Sequence, residues 1–193
     1  MSILKNRFSE LIDILPHFQE DSGRKIELVA SLIAETFISG NKVLICGNGG
    51  SAADSQHFAA EFVSSFSKNV KRNGLPAIAL TTDSSILTAI SNDFAFEHVF
   101  SRQVEAYGKN GDLLIVFTTS GNSKNCLKAV RTAKEINLQT VAFTRINAEI
   151  SNLVDIAIEV PSINTQHIQE CHILAYHIIC EIVEFELLKS RNE

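Results

Sequence analysis

The sequence predicts a three-layer α/β fold, a five-stranded parallel sheet flanked by helices, with an N-terminal helical extension. Three observations carry that expectation. Short apolar runs at 43–46, 77–80, 113–117, 140–143 and 155–160 alternate with longer segments of helical periodicity. Such alternation implies parallel pairing, and right-handed crossovers then place helices on both faces. Two of the runs also end in turns rich in glycine and hydroxyls that open helices, which is where ligands collect in sheets of this kind.

At the N-terminus, segments 2–15 and 22–39 carry apolar residues at helical spacing. Pro16 and the polar stretch 19–22 separate them, so two helices are expected. The strand Val43, Leu44, Ile45, Cys46 stops at Gly47-Asn48-Gly49-Gly50, and an Ala-rich helix follows from Ser51 to about position 66. Glycines there let backbone N–H groups approach a ligand, and a helix N-terminus favours an anion. The turn lacks GxGxxG spacing, and a tight βα turn needs glycine anyway. Along the helix His57 and Glu61 are four residues apart and share a face, either as a surface pair or as an acid/base or metal pair.

After the strand at 77–80 comes a segment ending in Asn92-Asp93, which reads as an Asn-Asp turn or as a further polar cluster. Helices near 95–107 and 123–136 bracket the third strand. That strand ends in Thr118-Thr119-Ser120-Gly121-Asn122-Ser123. Four hydroxyls, a glycine and a helix N-terminus can hold a phosphate without a dedicated lysine or arginine. The plainer reading makes Ser120 or Ser123 an ordinary N-cap. The last helix, about 164–189, places Gln169, His172 and His177 in the apolar stretch IQECHILAYHIIC. A lone histidine there is a satisfied core residue, but several polar groups on one apolar helix are costly to bury unless they satisfy one another, a metal or a substrate.

Composition narrows the classes. At 193 residues and 45% hydrophobic, a single domain spans 1–193, with N-terminal helices at about 2–39 and an α/β core at about 42–193. A net charge of −5, a pI near 5.7 and scattered lysines and arginines argue against a nucleic-acid surface. Four cysteines without CxxC pairing fit a reducing compartment, and the early charges of MSILKNRFSE do not fit a secretory leader. The longest apolar run, 172–188, is interrupted by Glu181, Glu184 and Glu186, so no membrane span is expected and the location expected is cytoplasmic.

The pieces CGNGGSAADSQHFAAE, LTTDSSILTAISNDF, VFSRQVEA, TSGNS and IQECHI, in this order, resemble the phosphoheptose isomerase family, which has the SIS (sugar isomerase) fold. The resemblance implies conversion of sedoheptulose 7-phosphate to D-glycero-D-manno-heptose 7-phosphate for bacterial surface heptose biosynthesis. It implies that Asn48, Gly49, Gly50, Ser51, Asn92, Asp93, Thr118, Thr119, Ser120 and Ser123 contact the sugar phosphate, with Glu61 and Gln169 beside them. His57, Glu61, Gln169 and His177 match zinc positions, one ion per subunit, and Glu61 and His177 match the catalytic pair. It also implies a homo-oligomer, a tetramer. Gln169 and His177 lie eight residues apart, about 12 Å along a helix, which strains any shared ligation by one chain. A second copy would relieve that strain and cover the stripe Ile173, Leu174, Ile178, Ile179.

Three stretches depart from the family pattern: Ser64-Ser65, Thr144-Arg145-Ile146-Asn147, and Thr165-Gln166-His167. Two other functions share the motifs, a non-catalytic SIS interaction or regulatory protein and an SIS enzyme acting on another sugar phosphate. The presence of both Glu61 and His177 weighs against the first.

Overall fold

A computed structural model describes residues 2–189. Strands β1 (Val43–Gly47), β2 (Ala77–Ala79), β3 (Leu113–Phe117), β4 (Gln139–Arg145) and β5 (Ile156–Val160) form one parallel sheet in the order β2-β1-β3-β4-β5. The helices are α1 (Ile3–Ile38), α2 (Gly50–Val63), α3 (Ser84–Asp93), α4 (Ser101–Tyr107), α5 (Lys124–Glu135) and α6 (Thr165–Lys189).

The strands read as continuous apolar runs because both faces of the sheet are covered. Val43, Ile45, Leu113, Ile115, Phe117, Val141 and Phe143 point to one face, where they meet α1, α2 and α6 through Ile33, Phe58 and Tyr176. The intervening Leu44, Cys46, Leu114, Val116 and Ala142 point to the other, under α4 and α5 through Val104, Cys126, Ala129 and Val130. All four cysteines are buried and free. The chain leaves β1 towards β2 on one side and returns to β3 on the other, so the crevice between the carboxyl ends of β1 and β3 is the switch point where ligands bind.

Two helix assignments are corrected. The N-terminal segment is one helix with Pro16 inside it, not two. Proline removes one backbone bond, yet burial of Phe18 just before the polar stretch and of Ser22 at its end keeps the helix against the sheet. The Ser22 hydroxyl donates to the Glu159 carbonyl at 2.9 Å and accepts from the Glu159 N–H at 3.1 Å, so it pairs the open edge of β5. The helix expected over 95–107 is a single 3₁₀ turn at Phe96–His98 followed by the short α4, and α3 precedes them. Asp83 starts α3 by accepting the Ile86 N–H at 2.9 Å, and Leu87 and Ile90 pack on the second core. Asn92 and Asp93 are therefore the end of a helix rather than an isolated turn.

His172 is a core residue. It is fully buried between the rings of Phe117 and Phe143, with Nε2 3.5 Å from the Thr144 carbonyl and Nδ1 without a partner among the described residues. Burial lowers its pKa to about 4 from an ordinary 6.5. Below about pH 6.5 the unfolded chain takes up a proton here that the folded chain refuses down to about pH 4. Stability should fall with acid across that interval, by about 3 kcal/mol from this residue. Urea unfolding at several pH values checks this, and His172→Leu should flatten that part of the profile.

Candidate active site

Both of the turns expected to take an anion lie at the switch point. Gly49 has φ +57, a conformation that turns the chain from β1 into α2 at little cost only for glycine. Gly50 opens α2 directly against Gln169, whose amide would lie 2.5 Å from any Cβ there. At the end of β3, Ser123 occupies the N-cap position of α5, but its hydroxyl makes no capping bond and lies 3.4 Å from the Thr118 hydroxyl. Thr118 is buried and accepts the Gly121 N–H at 3.2 Å. Among the described residues the hydroxyls of Thr119 and Ser120 have no hydrogen-bond partner. The plain N-cap reading is therefore not realised, and the loop presents open donors.

The two loops are joined by a residue that the sequence did not single out. The Asn48 Nδ2 donates to Asn125 Oδ1 at 2.9 Å, and Asn125 Nδ2 donates back to Asn48 Oδ1 at 2.8 Å. With its carboxamide engaged, Asn48 offers the crevice chiefly its backbone. Asn92 donates to Asp93 at 2.8 Å on the exposed end of α3, and among the described residues no hydrogen bond or ion pair links either to the two loops or to His57 and Glu61.

On α2, the His57 Nε2 is 2.9 Å from Glu61 Oε1, and its Nδ1 is 2.9 Å from the Tyr176 hydroxyl. Burial, with the charges of Asp54, Cys180 and Glu61, pushes the Tyr176 pKa well above its ordinary value, so the phenol keeps its proton. Its O–H then donates to Nδ1, leaving Nε2–H to donate to the carboxylate. The His177 ring lies 5.1 Å from that of His57, centroid to centroid, and 4.8 Å from that of Tyr176. Burial lowers the His177 pKa, helped by His57 and opposed by Glu61, so the ring is neutral near neutral pH. One chain thus gathers His57, Glu61, Tyr176 and His177.

Gln169 stands apart from them, donating to Asp54 Oδ2 at 2.9 Å. Asp54 is buried, and burial raises its pKa against the opposing effects of Gln169 and His57. Asp54 and Tyr176 were missed, although Asp54, His57 and Glu61 share one face of α2, and Gln169 and Tyr176, seven residues apart, share one face of α6. The expected zinc set is therefore divided. Both nitrogens of His57 are in hydrogen bonds, Gln169 faces Asp54, and among the described residues no three His, Cys, Asp or Glu side chains form a metal site.

Behind this cluster lies a buried ion pair, also missed. Arg72 Nε donates to Glu184 Oε1 at 2.9 Å, while its Nη atoms donate to the carbonyls of Glu61 at 2.7 Å and Phe62 at 2.6 Å. Glu184 further accepts the N–H groups of Phe66 and Ser67. Arg72 thus satisfies carbonyls of the last turn of α2, where a cation is favourable. Both side chains are under 5% exposed. Arg72→Met should cost about 3–5 kcal/mol, because it leaves the Glu184 carboxylate buried and unpaired; thermal unfolding measures it.

The family model described as SIS domain matches residues 8–145. A curated phosphoheptose isomerase of Roseiflexus sp. is 51% identical over 180 residues, covering 93% of this chain and 90% of its own. One from Aquifex aeolicus is 48% identical over 98% of both chains. Among solved structures, the phosphoheptose isomerase of Neisseria gonorrhoeae superposes with a TM-score of 0.87 at 40% identity, covering 93% of this chain and 96% of its own.

Proposed function

Since the chain belongs to the phosphoheptose isomerase family of SIS-domain proteins, we propose that it is an aldose–ketose isomerase converting sedoheptulose 7-phosphate to D-glycero-D-manno-heptose 7-phosphate for surface heptose biosynthesis. The observation that carries the reading is the oriented carboxylate of Glu61. His57 holds Oε1, Tyr176 holds His57, and Oε2 is open among the described residues, beside the neutral ring of His177.

That arrangement suits an enediolate route. Moving the carbonyl from C2 to C1 requires loss of a proton from C1, with the C–H pair forming C1=C2 and the carbonyl pair passing to O2. Glu61 takes that proton and returns it to C2, and His177 carries a proton between O1 and O2 as C1=O1 forms. The loops after β1 and β3 anchor the phosphate through hydroxyls, backbone N–H groups and the N-termini of α2 and α5. Ser120 and Ser123 would contribute charge-assisted hydrogen bonds there.

Glu61→Gln keeps shape and removes the proton acceptor. Turnover of sedoheptulose 7-phosphate should fall by about 10²–10⁴ with the thermal midpoint unchanged. A variant that turns over at the parent rate would remove Glu61 from the mechanism.

Zinc, one ion per subunit, enters the proposal from the resemblance. His57, Glu61, Gln169 and His177 are suitable donor types, and a bound zinc would polarise the carbonyl. As arranged here they do not fit it: Gln169 would have to leave Asp54, and His57 would have to leave Glu61. No step above passes through the metal.

A cytoplasmic homotetramer completes the proposal. No helix among the described residues is long and apolar enough to cross a membrane. Of the α6 stripe, Ile179 is buried within the chain, whereas Leu174 and Ile178 stay exposed along an apolar groove with Ile12 and Pro16 of α1. A second copy would cover that groove. Light scattering of the purified protein should give about four times 21.2 kDa, and a monomer would remove the tetramer. Elemental analysis decides between the resemblance, which implies one zinc per chain, and the arrangement described here, which implies none.

A further inference from the structure

The stretch Thr144-Arg145-Ile146-Asn147, one of the departures from the family pattern, closes against the phosphate loop. The Ile150 N–H donates to the Gly121 carbonyl at 3.1 Å. Gly121 has φ +74, and a Cβ there would clash with Ala148 and lie 2.9 Å from Thr144 Oγ1, so the loop packs directly on Thr144 and on the residues that follow the stretch. Arg145, the last residue of β4, is half-buried at this seam, and its Nε donates to the Ser120 carbonyl at 3.3 Å. Nη1 reaches the Ile146 carbonyl only at 3.5 Å, and among the described residues Nη2 has no acceptor and no carboxylate pairs with Arg145. Lys128, on the helix that this loop opens, is by contrast held by Glu97 at 2.6 Å.

A guanidinium without a counter-ion is therefore tethered to the residue whose own hydroxyl is open. Its remaining donors match the spacing of two oxygens on a tetrahedral anion. The sequence alone suggested that this loop holds phosphate without a dedicated cation; the fold brings one from the end of the next strand. We propose that Arg145 is a substrate-binding residue, donating through its Nη atoms to the phosphate monoester held by Thr118, Thr119, Ser120 and Ser123. This deepens the function above and rests on its reading that the loop takes the phosphate.

The test uses the full chain with two probes. Inorganic phosphate, titrated calorimetrically, reports the anion site alone; sedoheptulose 7-phosphate, in steady state, reports turnover. In Arg145→Gln, Kd for phosphate and KM for the sugar should both rise about tenfold, with kcat within about twofold of the parent. Arg145→Lys should recover part of the loss, and added salt should weaken phosphate binding by the parent more than by Arg145→Gln. Unchanged Kd and KM in Arg145→Gln would overturn the assignment, as would a fall in kcat and thermal midpoint with Kd unchanged, which marks a structural tether only. Absence of phosphate binding by the parent at millimolar concentration overturns it too. Arg145-dependent phosphate binding without sugar turnover would instead fail the isomerase reading and leave the anion site standing.

Discussion

The structure depends on how α2 lies against α6 over one face of the sheet. Their contact is an aromatic core in which Phe58 stacks on Tyr176 at 5.2 Å and meets Phe62 at 4.9 Å. Three polar contacts interrupt it: Gln169 to Asp54, Tyr176 to His57, and Glu184 through Arg72 to the last turn of α2. A helix pair joined by apolar contacts alone could slide at small cost. Buried polar groups are expensive when unpaired, so these contacts select one register. That register sets the position of Glu61 relative to His177, on which the proposed proton transfers rest.

The same face connects to the anion side. Gly50 begins α2 where Gln169 passes, so the first turn of the helix is placed by α6 as well as by the end of β1. The reciprocal Asn48–Asn125 pair then carries that placement to the start of α5. The two loops and the His57–Glu61–His177 cluster thus belong to one connected framework, which is what the proposed isomerisation requires of a base and a carbon-bound proton at fixed distance. A net charge of −5 does not oppose an anionic substrate, because the N-termini of α2 and α5 open at the crevice and, in the proposed reading, Arg145 adds a positive charge there.

The sequence by itself determined the sheet, since five apolar runs of strand length alternate with helices and both faces must be covered. It also located the turns that open α2 and α5 and the His57–Glu61 pair, because glycine turns and i,i+4 spacing are local signals. It misjudged α1, where Pro16 and a polar stretch read as a break, because the compensation is Ser22 pairing β5 more than a hundred residues away. Asp54, Tyr176, Asn125, Arg72 and Arg145 lay beyond it for the same reason. Each acts through a partner on another element, and nothing in local periodicity records which strand end or helix face will be adjacent. Tertiary structure alone decided that Gln169 turns to Asp54 rather than towards His177, and that His172 is a core residue while His177 joins the cluster. The physical cause is packing: side chains on one helix meet different layers of the fold, and only the layer decides whether a polar group is buried, paired or free.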